Sequence, residues 1–239
     1  MSKSPIIVAL DYDSAEEALQ LVDRLQGSID FFKVGKQLFT RTGPEIVRQL
    51  RSRGVEVFLD LKFHDIPETV RKAVKSCVDL EVRFLTIHTS GGSEMMQFAL
   101  QGAEGSATEI LGVTVLTSMN EVGMHEIGIQ GTVSDQVLSL ATLAVNSGLK
   151  GLVCSPYEVS LIREKVSKSV LLVTPGIRSP EEAKGDQKRI LSAAEAIEQG
   201  SSYLVVGRPI TQAQDPVAAV QQMRASISGL KSEDKLKKI

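Results

Sequence analysis

The sequence predicts an α/β protein of the (β/α)8 barrel class. Eight short segments rich in β-branched and aliphatic residues recur along the 239-residue chain. Most of them are nearly continuous apolar runs, as expected of parallel strands that are covered on both faces. Helical patterns separate these segments at spacings of about 20 to 40 residues. A doubly wound open sheet is the alternative, but the number of strands favours the closed barrel.

The predicted strands follow in chain order. They are PIIVALD (5–11), DFFKVG (30–35), VEVFLDLKF (55–63), RFLTIHT (83–89), EILGVTVLTS (109–118), GLVCS (151–155), VLLVTPG (170–176) and SYLVVGR (202–208). A capping box at 14–17 begins the first helix, and apolar residues at helical spacing follow it. Pro44 suits the first turn of a later helix, and Gly54 marks where that helix stops. Residues 70–77 predict another amphipathic helix after the third strand.

The barrel is expected to occupy residues 1–230 as a single domain. The tail KSEDKLKKI (231–239) is too charged to be buried, so we predict that it is disordered. Two connections, 118–133 and 176–189, are longer than a simple link requires. Both follow the carboxyl end of a strand, where barrel enzymes build their sites.

Composition excludes several classes of function. The formal net charge of −2 gives no overall preference for nucleic acid or for a membrane surface. We find neither an apolar run of about 20 residues nor a signal peptide. Cys77 and Cys154 are expected to be reduced, buried thiols, and with only three scattered histidines they predict no metal site. The sequence therefore predicts a soluble cytoplasmic protein.

Polar residues collect at the carboxyl ends of the predicted strands. They are Asp11, Lys33, Asp60, Lys62, Thr117, Ser118, Gly207 and Arg208. Because these strand ends meet at one rim of a barrel, the residues predict a binding or catalytic site there.

Asp60 and Lys62 are two residues apart, so the period of a strand points both side chains toward the barrel interior. A structural ion pair is the alternative, although apolar residues would usually fill that space as well or better. Lys33 on the next strand adds a second cation. With Asp65 as the second aspartate, the site would contain an array of two aspartates and two lysines. Asp65 could instead be an ordinary helix N-cap. Such an array can keep a lysine protonated, ready to donate to a developing carbanion.

A phosphate site is predicted where strands seven and eight end. TPGIR (174–178) and VVGRPITQAQDP (205–216) place a glycine and an arginine at those ends, and a helix start follows the second. Gln187 could reach the same phosphate from the long loop. The histidines carry less information: His64 suits a packing role, His88 could line the rim or be structural, and His125 has no visible partner.

These motifs resemble a known family. DLKFHDIPETV resembles the Asp-x-Lys-x-x-Asp-Ile-Pro-x-Thr signature of the orotidine 5′-phosphate decarboxylases. Further segments resemble the bacterial enzymes: VALD (8–11), FKVGKQLF (32–39), HTSGG (88–92), VTVLTSM (113–119), VTPGIR (173–178), GDQKRI (185–190) and VVGRPIT (205–211). The resemblance covers all but about the last ten residues.

The resemblance implies a cofactor-free lyase that converts orotidine 5′-phosphate to uridine 5′-phosphate and CO2, the last step of de novo UMP synthesis. It implies that Lys62 protonates C6 within an array of Lys33, Asp60, Lys62 and Asp65. It also implies a homodimer in which the partner supplies residues to each site. By resemblance the substrate contacts are Asp11, Lys33, Asp60, Ile66, Thr69, Thr117, Ser118, Pro175, Arg178, Gln187, Gly207 and Arg208, and the residues that cross the interface are Asp65, Ile66 and Thr69.

Two alternatives stay open at this point. Mg²⁺-dependent sugar-phosphate decarboxylases and hexulose-phosphate synthases share the barrel and the Asp-x-Lys-x-x-Asp motif. The Ile-Pro-x-Thr extension and the Gly-Asp-Gln at 185–187 argue against them. A phosphate-binding barrel without catalysis is the second alternative, and the presence of all four charged residues argues against it.

Overall fold

The computed structural model describes residues 4–177 and 191–236. Eight parallel strands form a closed barrel in the order β1-β2-β3-β4-β5-β6-β7-β8, which confirms the predicted fold class. The strands are β1 Ile6–Ala9, β2 Phe31–Gly35, β3 Glu56–Phe63, β4 Phe84–His88, β5 Glu109–Val113, β6 Gly151–Val153, β7 Leu171–Pro175 and β8 Tyr203–Val206.

Helices follow the strands and surround the barrel. Those in the described residues are α1 Ala15–Arg24, α2 Lys36–Thr42, α3 Glu45–Ser52, α4 Pro67–Val78, α5 Gly92–Gly102, α6 Glu121–Glu126, α7 Val133–Asn146, α8 Val159–Arg163, α9 Ala193–Glu198, α10 Arg208–Thr211 and α11 Pro216–Leu236. Within these ranges no helix combines the length and the apolar character needed to cross a membrane.

Two apolar layers hold the barrel together, and strand periodicity explains both. Side chains that alternate outward, such as Val57, Leu59 and Leu85, pack against the helices in the larger layer. The inward side chains form a second cluster inside the barrel, built around Phe58 and Phe84. The ring of Phe84 lies 5.9 Å from that of Phe58, nearly perpendicular to it, so aromatic packing fills the interior below the rim.

Several predicted boundaries need correction. β5 ends at Val113 rather than at residue 118, because its neighbour β6 is short and their pairing ends at Val113 opposite Val153. Ser14 caps α1 by accepting a hydrogen bond from the N–H of Glu17, but no reciprocal capping box forms. The long connection 118–133 contains α6. α11 continues to Leu236, so the backbone of 231–236 is helical where the sequence predicted a disordered tail.

Candidate functional site

A cavity of about 290 Å³ opens at the carboxyl ends of the strands. Four charged side chains line it: Asp11, Lys33, Asp60 and Lys62. The remaining lining residues are mostly apolar or small: Ala9, Phe58, Val113, Val115, Leu116, Thr117, Val153, Cys154, Pro175, Gly176, Val205 and Gly207. Charges beside an apolar wall are poorly screened by water, so their interactions are stronger there than on an open surface.

The four charges alternate in sign along the cavity. The ammonium nitrogen of Lys33 lies 3.1 Å from Oδ1 of Asp11 and 3.8 Å from Oδ2 of Asp60. The ammonium nitrogen of Lys62 lies 2.7 Å from both carboxylate oxygens of Asp60. The side chains of Lys33 and Asp60 are each only 12% exposed, so the centre of the array is largely shielded from solvent.

Strand β3 is irregular where it carries these charges. Leu59 lies opposite Leu85 of β4, but the next matched pair is Phe63 opposite Ile87. Residues 60–62 therefore bulge opposite Thr86 alone. Leu61 and Phe63 still pack against the helix layer, so the charged side chains between and before them face inward, as strand parity predicted.

Lys62 lies within this bulge in a left-handed backbone conformation, with φ 52°. Such a conformation in a residue with a long side chain costs of order 1–3 kcal/mol and persists only where surrounding contacts hold it. The contacts here are the paired Asp60 carboxylate and a hydrogen bond from the Lys62 N–H to Oγ1 of Thr86, 2.9 Å long. The placement of this lysine therefore lowers the local stability of the strand.

Asp60 is held in its ionised form. Burial on its own would raise the pKa of Asp60, but the positive charges of Lys33 and Lys62 oppose it. Hydrogen bonds from Lys62 and Thr86 add to that effect, so the pKa lies below its ordinary value.

The structure brings together only some of the predicted site residues. Thr117, Pro175 and Gly207 line the cavity with the four charges. The predicted residues that do not line it, within the described part of the chain, are Asp65, Ile66, Thr69, Ser118 and Arg208. Arg178 and Gln187 lie outside the described residues.

Asp65 is not the N-cap of α4, which was the alternative role that the sequence left open for it. The N-cap of α4 is Ile66, which has no side chain able to cap the helix, and Oδ1 of Asp65 accepts a hydrogen bond from the Ile66 N–H at 2.7 Å. Asp65 is exposed, and the described residues give it no ion pair with a lysine of its own chain.

Sequence reasoning missed two residues at this site. Cys154 lines the cavity as a fully buried thiol, whose pKa burial raises. Thr86 contacts both Asp60 and Lys62, and its one signal in the sequence is a polar residue between the apolar Leu85 and Ile87 of β4. The rings of His64 and His88 lie 5.5 Å apart beside the array but outside the cavity lining. Burial lowers the pKa of His88, and nearby positive charges lower it further.

The described residues contain no group of three or more histidine, cysteine, aspartate or glutamate side chains placed to hold a metal ion. Asp11 and Asp60, the carboxylates that line the cavity, are each paired with lysine.

Comparison with known proteins gives consistent matches. The model of the family described as "Orotidine 5′-phosphate decarboxylase / HUMPS family" matches residues 4–223. An orotidine 5′-phosphate decarboxylase of Vibrio cholerae serotype O1 is 48% identical over 230 residues, which cover 95% of this chain and 100% of the relative. One from Methylacidiphilum infernorum is 49% identical over 224 residues, covering 94% and 97%.

A solved structure agrees with these relatives. The crystal structure of orotidine 5′-phosphate decarboxylase from Lactobacillus acidophilus is similar with a TM-score of 0.83 and 39% identity, covering 93% of this chain and 98% of that one. Both the family model and the relatives extend over nearly the whole barrel. The chain belongs to the orotidine 5′-phosphate decarboxylase / HUMPS family.

Proposed function

We propose that the protein decarboxylates orotidine 5′-phosphate to uridine 5′-phosphate and CO2, the last step of de novo UMP synthesis, without a metal or organic cofactor. Family membership supports the proposal, as do curated relatives of that name at 47–49% identity. The observation that carries it is the alternating array of Asp11, Lys33, Asp60 and Lys62 in an apolar-walled cavity. A cytoplasmic location is part of the same proposal.

Lys62 is the proposed acid. When the bond between C6 and the substrate carboxylate breaks, CO2 leaves and the electron pair stays on C6. Lys62 then donates a proton from its ammonium group to C6, and the neutral amine regains a proton from solvent. Its position supports this role, because the contact of 2.7 Å with both oxygens of Asp60 holds the ammonium group in one place in the cavity wall.

Asp60 and the charges around it supply electrostatic stabilisation. A carboxylate on the substrate would face Asp60, and two like charges about 4 Å apart repel by roughly 4 kcal/mol at a surface-like effective dielectric. Loss of CO2 removes that repulsion, while Lys62 attracts the negative charge that develops on C6. Preorganised charges of this kind can stabilise a carbanion that has no metal or cofactor to share its charge.

The rest of the substrate is assigned to the remaining predicted residues. Asp11 and Lys33 would hold ribose hydroxyls, and Thr117 and Ser118 would meet the pyrimidine beside Pro175. Gly207 and Arg208 would hold the phosphate, with Gln187 and Arg178 contributed by the loop after β7. A phosphate held far from C6 can supply binding energy that aligns the reacting carboxylate with the charges.

We further propose that the active enzyme is a homodimer in which Asp65, Ile66 and Thr69 contribute to the partner's site. All three side chains are exposed at the start of α4, although α4 directly follows the strand that carries the array. Ile66 is 68% exposed, which is unusual for a large aliphatic side chain. Contact with a partner subunit would remove this apolar surface from water. The interface would bring Asp65 to a lysine that it does not reach in its own chain.

The direct experiment follows the loss of orotidine 5′-phosphate absorbance in the presence of EDTA. We expect full turnover with EDTA and no stimulation by added Mg²⁺. Turnover that depends on Mg²⁺ would favour a sugar-phosphate decarboxylase or hexulose-phosphate synthase of the same superfamily. Nucleotide binding without any turnover would favour a phosphate-binding barrel without catalysis.

A further inference from the structure

Thr86 lies inside the barrel, directly below the charged array. On β4, Leu85 and Ile87 pack outward into the helix layer, whereas Phe84 belongs to the interior cluster. Thr86 therefore shares the inward face with Phe84, and it is 0% exposed. A hydroxyl in such a place is costly to bury without hydrogen-bond partners.

The Thr86 hydroxyl has two partners, and both belong to the bulge of β3. Its oxygen accepts a hydrogen bond from the backbone N–H of Lys62 at 2.9 Å, and it donates to Oδ1 of Asp60 at 2.9 Å. An ionised carboxylate only accepts and a backbone amide only donates, so the direction of both bonds is fixed. One hydroxyl thus links the backbone of the proposed acid to the side chain of its carboxylate partner.

This link lies at the irregular part of β3. Residues 60–62 bulge opposite Thr86 alone, and Lys62 has the left-handed φ of 52°. Without the hydroxyl, the half-buried backbone N–H of Lys62 loses this acceptor and Asp60 loses a donor. The bulge could then relax toward an ordinary strand conformation, which would swing the Lys62 ammonium away from Asp60.

We propose that Thr86 is a positioning residue: its hydroxyl holds the β3 bulge so that the Lys62 ammonium stays on the Asp60 carboxylate. The inference rests on the proposed decarboxylation for its effect on turnover, but it also makes a structural claim of its own. Thr86 does not line the cavity, so it acts through Asp60 and Lys62 rather than on the substrate.

The variants needed are Thr86→Val, which keeps the shape and removes the hydroxyl, and Thr86→Ser, which keeps the hydroxyl. Thr86→Ala is a second variant without the hydroxyl in case the valine does not fit. Thr108→Val is the matched control, because Thr108 is a buried threonine just before β5 whose hydroxyl donates to the Val82 carbonyl at 2.8 Å. Turnover should be expressed per folded site, with sites counted by binding of uridine 5′-phosphate.

We expect Thr86→Val and Thr86→Ala to lower kcat by about 10- to 100-fold while KM changes by less than about threefold. Thr86→Ser should recover most of kcat, and Thr108→Val should have normal kcat even if its Tm falls. A structural role alone would lower Tm without changing kcat per folded site. Normal kcat in both hydroxyl-free variants, or no recovery in Thr86→Ser, would overturn the inference.

The crystal structure of Thr86→Val tests the inference independently of turnover. We expect Lys62 to leave its left-handed conformation and its ammonium nitrogen to move out of hydrogen-bond distance of Asp60. An unchanged bulge with the ion pair intact would overturn the positioning role. A wild-type protein without turnover would instead count against the proposed function, and the structure of the variant would then decide this inference alone.

Discussion

The ammonium nitrogen of Lys62 lies 2.7 Å from both carboxylate oxygens of Asp60, although Lys62 has a left-handed backbone in a bulge of β3. A regular strand would carry the same two side chains on one face without this backbone cost. The short distance between the two charges thus coincides with the bulge. The proposed function depends on that short distance, because it fixes the position of the ammonium group that is proposed to donate the proton.

Arg208→Ala should weaken the proposed phosphate contact and leave the proposed chemistry at C6 largely unchanged. Arg208 is an exposed residue that begins α10, directly after Gly207 in the cavity wall. Loss of a hydrogen-bonded charge should raise KM by about 10- to 100-fold. Steady-state kinetics check this, with orotidine as the control substrate, because the substitution should hardly affect a substrate that lacks the phosphate. An equal rise in KM with both substrates would mean that Arg208 does not contact the phosphate.

A mixture of two inactive variants tests whether Asp65 acts across an interface. Lys62→Ala and Asp65→Ala proteins should each be inactive, but hybrid dimers would contain one site free of both substitutions. With random exchange of subunits, half of the dimers are hybrids, so the mixture should recover about a quarter of wild-type activity. Exchange should be verified with tagged subunits. No recovery despite exchange would mean that Asp65 acts within its own chain.

The raised pKa of Glu158 predicts that the stability of the folded protein depends on pH, independently of catalysis. Burial raises its pKa to about 7, and the hydrogen bond from the Ser155 N–H offsets that effect only in part. The folded pKa lies above the ordinary 4.5, so the neutral acid is favoured in the folded protein. The stability that this group contributes is therefore complete below pH 4.5 and is lost as pH rises through about 7.

Glu158→Gln keeps an acceptor for the Ser155 N–H and removes the titration. The free energy of unfolding of the variant relative to wild type should rise by about 3 kcal/mol between about pH 4.5 and about pH 8. Denaturant unfolding at both pH values measures this difference. Glu164→Gln, which changes an exposed glutamate after α8, is the control and should show no comparable rise. A constant difference for Glu158→Gln across that range would contradict the raised pKa.

Much of this architecture could be predicted from the sequence, since buried parallel strands need apolar residues on both faces. That pattern identified every strand of the barrel, and the parity of Asp60 and Lys62 placed both charges inside. The bulge could not be predicted, because it depends on how β3 pairs with β4 rather than on the composition of either. Thr86 was missed for the same reason: its importance comes from a contact across the sheet. The early end of β5 likewise depends on the short strand beside it.

Lys62→Ala tests the central claim most directly. Turnover should fall below detection, because Lys62 is the proposed proton donor to C6, while uridine 5′-phosphate should still bind measurably through the proposed ribose and phosphate contacts. Lys75→Ala, on the exposed face of α4, controls for the loss of a lysine and should retain full turnover. The measurement is kcat for loss of orotidine 5′-phosphate absorbance in EDTA, beside calorimetric binding of the product. No detectable turnover with binding retained is the predicted result, and near-normal turnover by Lys62→Ala would contradict the account.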